Sequence, residues 1–463
     1  MKKLVLLFVL LAVSHVAYAA PPDTAKLAKG IDAVLALDNV AKSKVGIYVA
    51  DVETGEELYS HSADELFNPA SNTKLVTAAA ALDMYGPAYT VATRISYSGE
   101  LKGGHVDRIW LKSEGDPFLL YEDVMRFAVA VKRAGISSVD DVAVDDSAFA
   151  AGYMPPGFEQ KNEDASYRAQ IGAVSVNFNA IAVTVRADGD NAVVDLYPPN
   201  DYVRLKNSAR VAKGKGQRVS VRSVTDGDYT RIEVTGTIGK DASPVEMRKR
   251  IDHPGLFAAS VFRQALIDVG VSVKAGSTVA TRPDATTTVL LDASEPLSWS
   301  LFAMNKWSNN FIAEQIFRML GASKDSPATT DRARTNVAAV LDKLGVAKGW
   351  TQNNGSGLYD GNLFTPRQLG TLLVAMAKHR YAPEFECASG DRRVDGTLSG
   401  RLQSTDLRGK TGKTLNEVTA LSGYMHTASD ASVAYALTTH LSGRGLCAMS
   451  RTKSPRPSPD WKE

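Results

Sequence analysis

The chain reads as an α/β protein in which helices surround an antiparallel sheet, split in two by a large β-rich insertion. Three observations predict this. Near the start, Lys44 to Asp51 alternates apolar and polar residues, turns at Thr54-Gly55 and returns over Glu57 to Ser60, which is a hairpin pattern. Near the end, Thr419 to His426 and Ser432 to Thr439 form a second strand pair. Between the two, from about Asn177 to Ile238, nearly every segment alternates with period two between Gly, Asp and Pro turns.

Taken in order, Ala25 to Val40 has helical periodicity. Ser71 to Met84 is a strong helix, with an Ala-rich run that Gly86-Pro87 ends. Val91 to Tyr97 and Asp107 to Lys112 read as strands, Tyr121 to Ala134 as a helix, and Val142 to Val144 as a strand. The β-rich block holds Ala180 to Val185, Ala192 to Leu196, Gln217 to Val224 and Tyr229 to Val234. Arg248 to Val269 returns to helix, and helices recur over Pro296 to Leu320, Thr330 to Leu344 and Pro366 to His379. There is no internal repeat. The expected units are a leader at 1–19 and a discontinuous body at 20–88 and 290–441. Within the body sit one insertion at 89–176 and 262–289 and an all-β insertion at 177–261; a tail at 442–463 follows.

The first residues read as an export signal. Lys2 and Lys3 give a basic start, Leu4 to Val13 is apolar, and Ala17-Tyr18-Ala19 is a small-x-small cleavage site. No later stretch is long and apolar enough for a membrane helix. The mature protein is therefore expected in the periplasm, with at most loose membrane association. With 463 residues, 53 Lys and Arg against 51 Asp and Glu, and no basic tract outside the tail, nucleic acid is not an expected partner. Cys387 and Cys447 could oxidise in an exported protein, but their spacing resembles no metal site. The seven His are scattered without a His-x-x-x-His pair, so no metal is expected.

Three short motifs carry chemistry. In Ser71-Asn72-Thr73-Lys74, residues three apart share a helix face, which puts an amine beside a hydroxyl. A Ser hydroxyl needs a base to become a nucleophile, and a Lys serves when desolvation lowers its pKa. Asn68-Pro69-Ala70 leads into the helix, so Ser71 is placed at its positive end. About two Ser-x-x-Lys matches arise by chance in a chain of this composition. The second one, Ser450 to Lys453, sits in the Pro-rich tail. Ser308-Asn309-Asn310 offers a second hydroxyl and an amide just before a helix, where Ser308 or Asn309 would equally serve as an N-cap. Lys410-Thr411-Gly412 precedes the last strand pair. Its Lys and Thr can bind a carboxylate, and its Gly permits close approach of a substrate backbone.

As an ordered set these motifs match the Ser-x-x-Lys, Ser-x-Asn and Lys-Thr-Gly signature of β-lactamases and penicillin-binding proteins. The 237 positions from Ser71 to Ser308 are too many for a compact class A β-lactamase. The chain resembles the class C low-molecular-mass penicillin-binding proteins, the D-alanyl-D-alanine carboxypeptidase/endopeptidase family. Gly115-Asp116-Pro117, Val144-Asp145-Asp146-Ser147, His253-Pro254, Gly355-Ser356-Gly357-Leu358 and Val394-Asp395-Gly396-Thr397-Leu398 add to the likeness. The resemblance implies a penicillin-binding transpeptidase-like, β-lactamase-like fold. It further implies that Ser71 is acylated, that Lys74 is its base, and that Ser308 and Asn310 relay a proton and anchor the substrate amide. Lys410 and Thr411 would bind the substrate carboxylate, and the N–H groups of Ser71 and Lys413 would hold the oxyanion. Implied partners are peptidoglycan stem peptides, with β-lactams as covalent inhibitors. A β-lactamase or esterase on the same scaffold, or an idle wall-binding protein, are the alternatives. The chain departs from the family at Asn354, where an Asp is usual, and at Asn162, where an acid can stand. It departs again after Leu441, where no amphipathic helix follows.

Overall fold

The structure is a computed structural model that describes residues 23–391, 395–398, 406–414, 418–426 and 431–440. The expected leader and tail, and Cys447, lie outside these residues.

The body is built on a fully antiparallel sheet of six strands. Across it run Gly390–Asp391, Asp406–Lys413, Val418–His426, Ser432–His440, Lys44–Asp51 and Glu57–His61. The first long strand of the chain thus pairs with its last, Val49 opposite Tyr435 and Ala50 opposite Ala434. Neither end can complete the sheet without the other.

Helix Thr73–Tyr85 runs through the centre of the body. From Thr73 to Leu82 every residue is buried, which explains the Ala-rich run. Small side chains let helices Leu297–Lys306, Asn310–Met319 and Thr330–Lys343 close around it. On the sheet, helix Pro366–Ala377 packs over Lys44–Asp51 and Ser432–His440. Its start carries Pro at the first turn and a capping box in which Thr365 and Gln368 satisfy each other's backbone N–H groups.

The insertion has its own core around Ile109, Val142, Phe127, Phe257 and Phe262. One six-stranded sheet there is mixed: Ala92–Ser98 pairs antiparallel with His105–Ser113 and with Thr287–Ala293, whereas Ser138–Asp145 runs parallel to His105–Ser113. Two smaller sheets follow. In one, Ala180–Asp188 lies between Asn191–Tyr197 and Val245–Arg250. The other joins Gln217–Asp226, Tyr229–Gly239, Val203–Asn207 and Arg210–Ala212.

Two sequence expectations are corrected. Arg248 to Val269 is not one helix. Val245–Arg250 is a strand held by pairing with Ala180–Asp188, and a helix starts only at Pro254, after His253 in the left-handed region. That helix packs on the mixed sheet, so the boundary expected at 261/262 would cut through it. Pro296 to Leu320 is likewise two helices. They break at Trp307 to Asn309, where Ser308 has φ +55°.

Gly370 marks how closely the Pro366–Ala377 helix sits on the sheet. A Cβ there would stand 2.1 Å from Tyr48 Cδ1, near the root of a buried ring. Overpacking costs about 1–3 kcal/mol, and Ala returns about 1 kcal/mol of helix propensity. Gly370→Ala should therefore lower the unfolding free energy by up to about 2 kcal/mol in urea titration; a raised midpoint would contradict this packing.

Candidate active site

The three motifs meet in a cleft between the central helix and the body sheet. Ser71 lies in a single 3₁₀ turn, Ala70–Asn72, and the α-helix proper begins at Thr73. The hydroxyl thus stands one turn ahead of the helix rather than inside its first turn. Lys74 follows, and its Nζ donates to Ser71 Oγ at 2.9 Å, Asn310 Oδ1 at 2.8 Å and the Ser356 carbonyl at 2.8 Å. Lys74 itself is fully buried, while Ser71 is partly open to solvent.

The helix break positions the second motif. Asn309 is the N-cap, its side chain accepting from the Ile312 N–H, so the capping alternative belongs to Asn309. Ser308 stands free of that duty, and its Oγ accepts from Lys410 Nζ at 2.8 Å. Lys410 also donates to the Thr411 carbonyl at 2.7 Å and is fully buried. The site is closed from the insertion side by Asn310 Nδ2, which donates to the Tyr167 carbonyl at 3.0 Å.

Gly412 answers a need besides the one expected. A Cβ there would lie 3.0 Å from the Pro69 carbonyl and 3.1 Å from the Ser71 nitrogen. The glycine lets the chain's own Ser71 turn approach the strand. Lys413, at the strand end, pairs with Thr419 and exposes its side chain.

Burial controls the electrostatics. The neutral oxygens around Lys74 do not replace water for a cation, so desolvation pulls its pKa down to about 7, with Glu314 opposing the shift. Burial also holds Lys410 well below the usual amine range, and the charge of Lys74 adds to it. Burial raises the Glu314 carboxyl, against hydrogen bonds from the Ser356 side chain and from two backbone N–H groups.

Sequence reasoning missed Glu314 and Ser356 as part of this site. Glu314 is 2% exposed, and its carboxylate accepts from the Gly355 N–H at 3.0 Å and the Ser356 N–H at 2.8 Å. It thereby fixes the turn whose carbonyl holds Lys74. Gly357 makes the same turn possible, because a Cβ would fall 1.8 Å from the Ala70 carbonyl. Asn354 ties it down: Oδ1 accepts from the Gly357 N–H, while Nδ2 donates to the Pro156 and Leu358 carbonyls. A carboxylate at 354 could not make those last two bonds.

One set of possible metal ligands comes together among the described residues. His105, Asp107 and Asp140 offer atoms within 4.8 Å of one another on the insertion's mixed sheet. Lys274 already donates to Asp140 at 2.7 Å, and His105 Nδ1 meets Ser138 Oγ at 3.0 Å. Two surface hollows of about 710 and 740 Å³ lie on the same insertion, and none of their lining residues belongs to the cleft around Ser71. No described helix is long and apolar enough to cross a membrane.

With this geometry in view, the model of the D-Ala-D-Ala carboxypeptidase 3 (S13) family matches residues 27–446. The D-alanyl-D-alanine carboxypeptidase of Actinomadura sp. (strain R39) is 34% identical over 425 residues, covering 86% of this chain and 78% of that protein. The D-alanyl-D-alanine carboxypeptidase DacB of Haemophilus influenzae is 23% identical over 405 residues, covering 85% and 84%. The crystal structure of penicillin binding protein 4 (dacB) from Haemophilus influenzae superposes with a TM-score of 0.75 at 21% identity, over 94% of this chain and 96% of that one. Its complex with a β-lactam superposes with a TM-score of 0.70 at 22% identity, over 89% and 93%.

A group with its pKa pulled down to about 7 is half neutral there, and the neutral fraction rises with pH. If the free amine is what activates Ser71, acylation by penicillin should rise through a midpoint near pH 7. Glu314→Gln removes the charge that raises the Lys74 pKa, so the midpoint should move to lower pH. Stopped-flow acylation across pH 5 to 9 measures both. A midpoint that stays put or climbs in the variant would contradict the role given to Glu314.

Proposed function

The chain belongs to the D-Ala-D-Ala carboxypeptidase 3 (S13) family, and from that premise we propose the following mechanism for a serine DD-peptidase acting on peptidoglycan. The observation that carries it is the direct bond from Lys74 Nζ to Ser71 Oγ inside a cleft shared with Ser308, Asn310 and Lys410.

Ser71 Oγ attacks the carbonyl of the penultimate D-Ala, and its proton passes to the neutral amine of Lys74. The N–H groups of Ser71 and Lys413 receive the developing oxyanion. Ser308, bonded to Lys410 Nζ, gives its proton to the leaving nitrogen and takes in exchange the proton that Lys74 received from Ser71, which leaves Lys74 neutral again. D-Ala departs with the proton from Ser308, and Ser71 keeps the acyl group as an ester. Water then cleaves the ester and returns the Ser71 proton by the same base. Asn310 uses its oxygen on Lys74 and its amide hydrogens toward the substrate amide and the Tyr167 carbonyl. The leaving amine can be free D-Ala or a cross-linked stem, so carboxypeptidase and endopeptidase action share these steps. Every step uses side chains and backbone of this chain alone, with no cofactor called upon.

β-Lactams acylate the same Ser71 in this reading, supported by the β-lactam complex of the Haemophilus influenzae protein. Catalysis is assigned to the body at 20–88 and 290–441, with the insertion supplying the Tyr167 wall. The export signal read in the first residues assigns the mature protein to the periplasm.

Ser71→Ala should abolish labelling by fluorescent penicillin and release of D-Ala from a pentapeptide, with loss of at least about three orders of magnitude. Labelling that survives in the variant would remove Ser71 from the mechanism.

A further inference from the structure

Beside the Lys-Thr-Gly strand lies a hydroxyl that no motif assigns. Thr397 sits in the short 3₁₀ turn Gly396–Leu398, exposed to solvent, with Oγ1 2.6 Å from Thr411 Oγ1. The turn is fixed on two sides. Toward the second motif, Asp395 Oδ1 accepts from Lys306 Nζ at 2.7 Å, and Lys306, only 4% exposed, is two residues before Ser308. Gly396, at φ +70°, lies against the same residue: a Cβ would meet the Lys306 carbonyl at 2.9 Å. Toward the sheet, the Asp395 N–H donates to the Asp391 carbonyl at 2.9 Å, and Asp395 Oδ1 accepts from the Asp391 N–H at 3.0 Å. One half-buried ion pair therefore ties the turn to the helix that ends beside Ser308, and two bonds between Asp391 and Asp395 tie it to the sheet edge.

This arrangement puts two hydroxyls side by side, next to the Lys410 ammonium that donates to the Thr411 carbonyl. In the free enzyme one hydroxyl donates to the other. Each carries a single proton, and each can give it to a separate oxygen of a carboxylate. An anion offers charge-assisted bonds that are stronger than a hydroxyl–hydroxyl bond. The turn is already held by other groups, so Thr397 is not needed to fix it, and its hydroxyl is exposed beside that of Thr411.

We propose that Thr397 binds the carboxylate that follows the scissile bond, as the second member of a two-hydroxyl cradle with Thr411. The inference rests on the peptidase reading above and adds a substrate-binding residue to it. Penicillins carry a carboxylate at the corresponding place, and their methyl esters do not, so the two compounds separate recognition of the anion from acylation itself.

The experiment compares acylation by benzylpenicillin and by its methyl ester in wild type, Thr397→Val and Thr397→Ser, with matching circular dichroism and thermal melts as the folding control. Loss of one bond to an anion should slow benzylpenicillin acylation by Thr397→Val about tenfold, leave the methyl ester rate unchanged, and be largely restored in Thr397→Ser. Equal slowing of both compounds would reduce Thr397 to a structural strut, and no slowing of benzylpenicillin would remove it from the site; either overturns the proposal. A wild-type protein that takes penicillin but releases no D-Ala would overturn the peptidase reading alone, because acylation still reports on Thr397. A wild-type protein that penicillin does not acylate would overturn both.

Discussion

Two lysine amines buried in one cleft, with no carboxylate in contact among the described residues, set the terms for the rest of the molecule. Lys74 and Lys410 are both fully enclosed, and their bonded partners are hydroxyls, an amide oxygen and backbone carbonyls, all neutral. Lys306, almost as buried and close by, is paired instead with Asp395. The difference is chemical. An ion pair keeps a buried amine protonated, whereas neutral acceptors leave its desolvation uncompensated, so the proton is readily given up. A lysine that loses its proton near neutral pH is a base; one held by a carboxylate is a clamp. What faces each lysine therefore suits one residue type to two different jobs within one site.

Holding such a cleft closed needs rigid walls on every side, and the chain supplies them from remote segments. The first long strand pairs with the last, so the sheet wall exists only when both ends of the chain have arrived. Between them the insertion leaves the body and returns, and it meets the site through the Tyr167 carbonyl on Asn310, the Pro156 carbonyl on Asn354 and Glu163 on Tyr359. Glu314 works at one remove, bonded to the Gly355 and Ser356 N–H groups and thus aiming the Ser356 carbonyl at Lys74. Its negative charge raises the Lys74 pKa without capturing the amine, a balance that direct contact would tip toward a permanent cation.

What could be read from the sequence follows from which parts of this design are local. Ser71 and Lys74 are three residues apart on one helical stretch, so their meeting is written in their spacing. The ordered motifs likewise placed Ser308, Asn310, Lys410 and Thr411 in one cleft, where the structure brings them. Glu314 and Ser356 were illegible as part of the site, because they meet across 40 or more positions, and the contact of Thr397 with Thr411 joins a turn to a strand through residues that no local pattern links. Secondary structure failed for the same reason. Met247, Arg248 and Lys249 favour helices, yet pairing with Ala180–Asp188 makes them a strand. The break at Trp307 carries neither Gly nor Pro; it is held by the Asn309 cap and by Lys410 on Ser308. Gly412 was recognised as a close-approach residue, but the backbone that approaches it belongs to the chain itself.

The strain pattern points the same way. Ala70, Ser308 and Tyr359 are non-glycine residues with φ of +47°, +55° and +62°, and all three adjoin the cleft. Such backbone costs of order 1–3 kcal/mol per residue and persists only where surrounding contacts over-determine it. Each here has such contacts: the Ala70 N–H donates to Asn68 Oδ1, Ser308 Oγ accepts from Lys410, and the Tyr359 hydroxyl donates to Glu163. Relaxing Ala70 would re-aim the nucleophile turn, and relaxing Ser308 would let the two helices fuse and carry the second hydroxyl away from Lys410. The sequence-predicted continuous helix from Pro296 to Leu320 is the locally preferred state; the observed break is what tertiary contacts impose on it. Strain of this kind is therefore the local cost of bringing two hydroxyls, each beside its own buried amine, to one cleft from positions 71 and 308 of the chain.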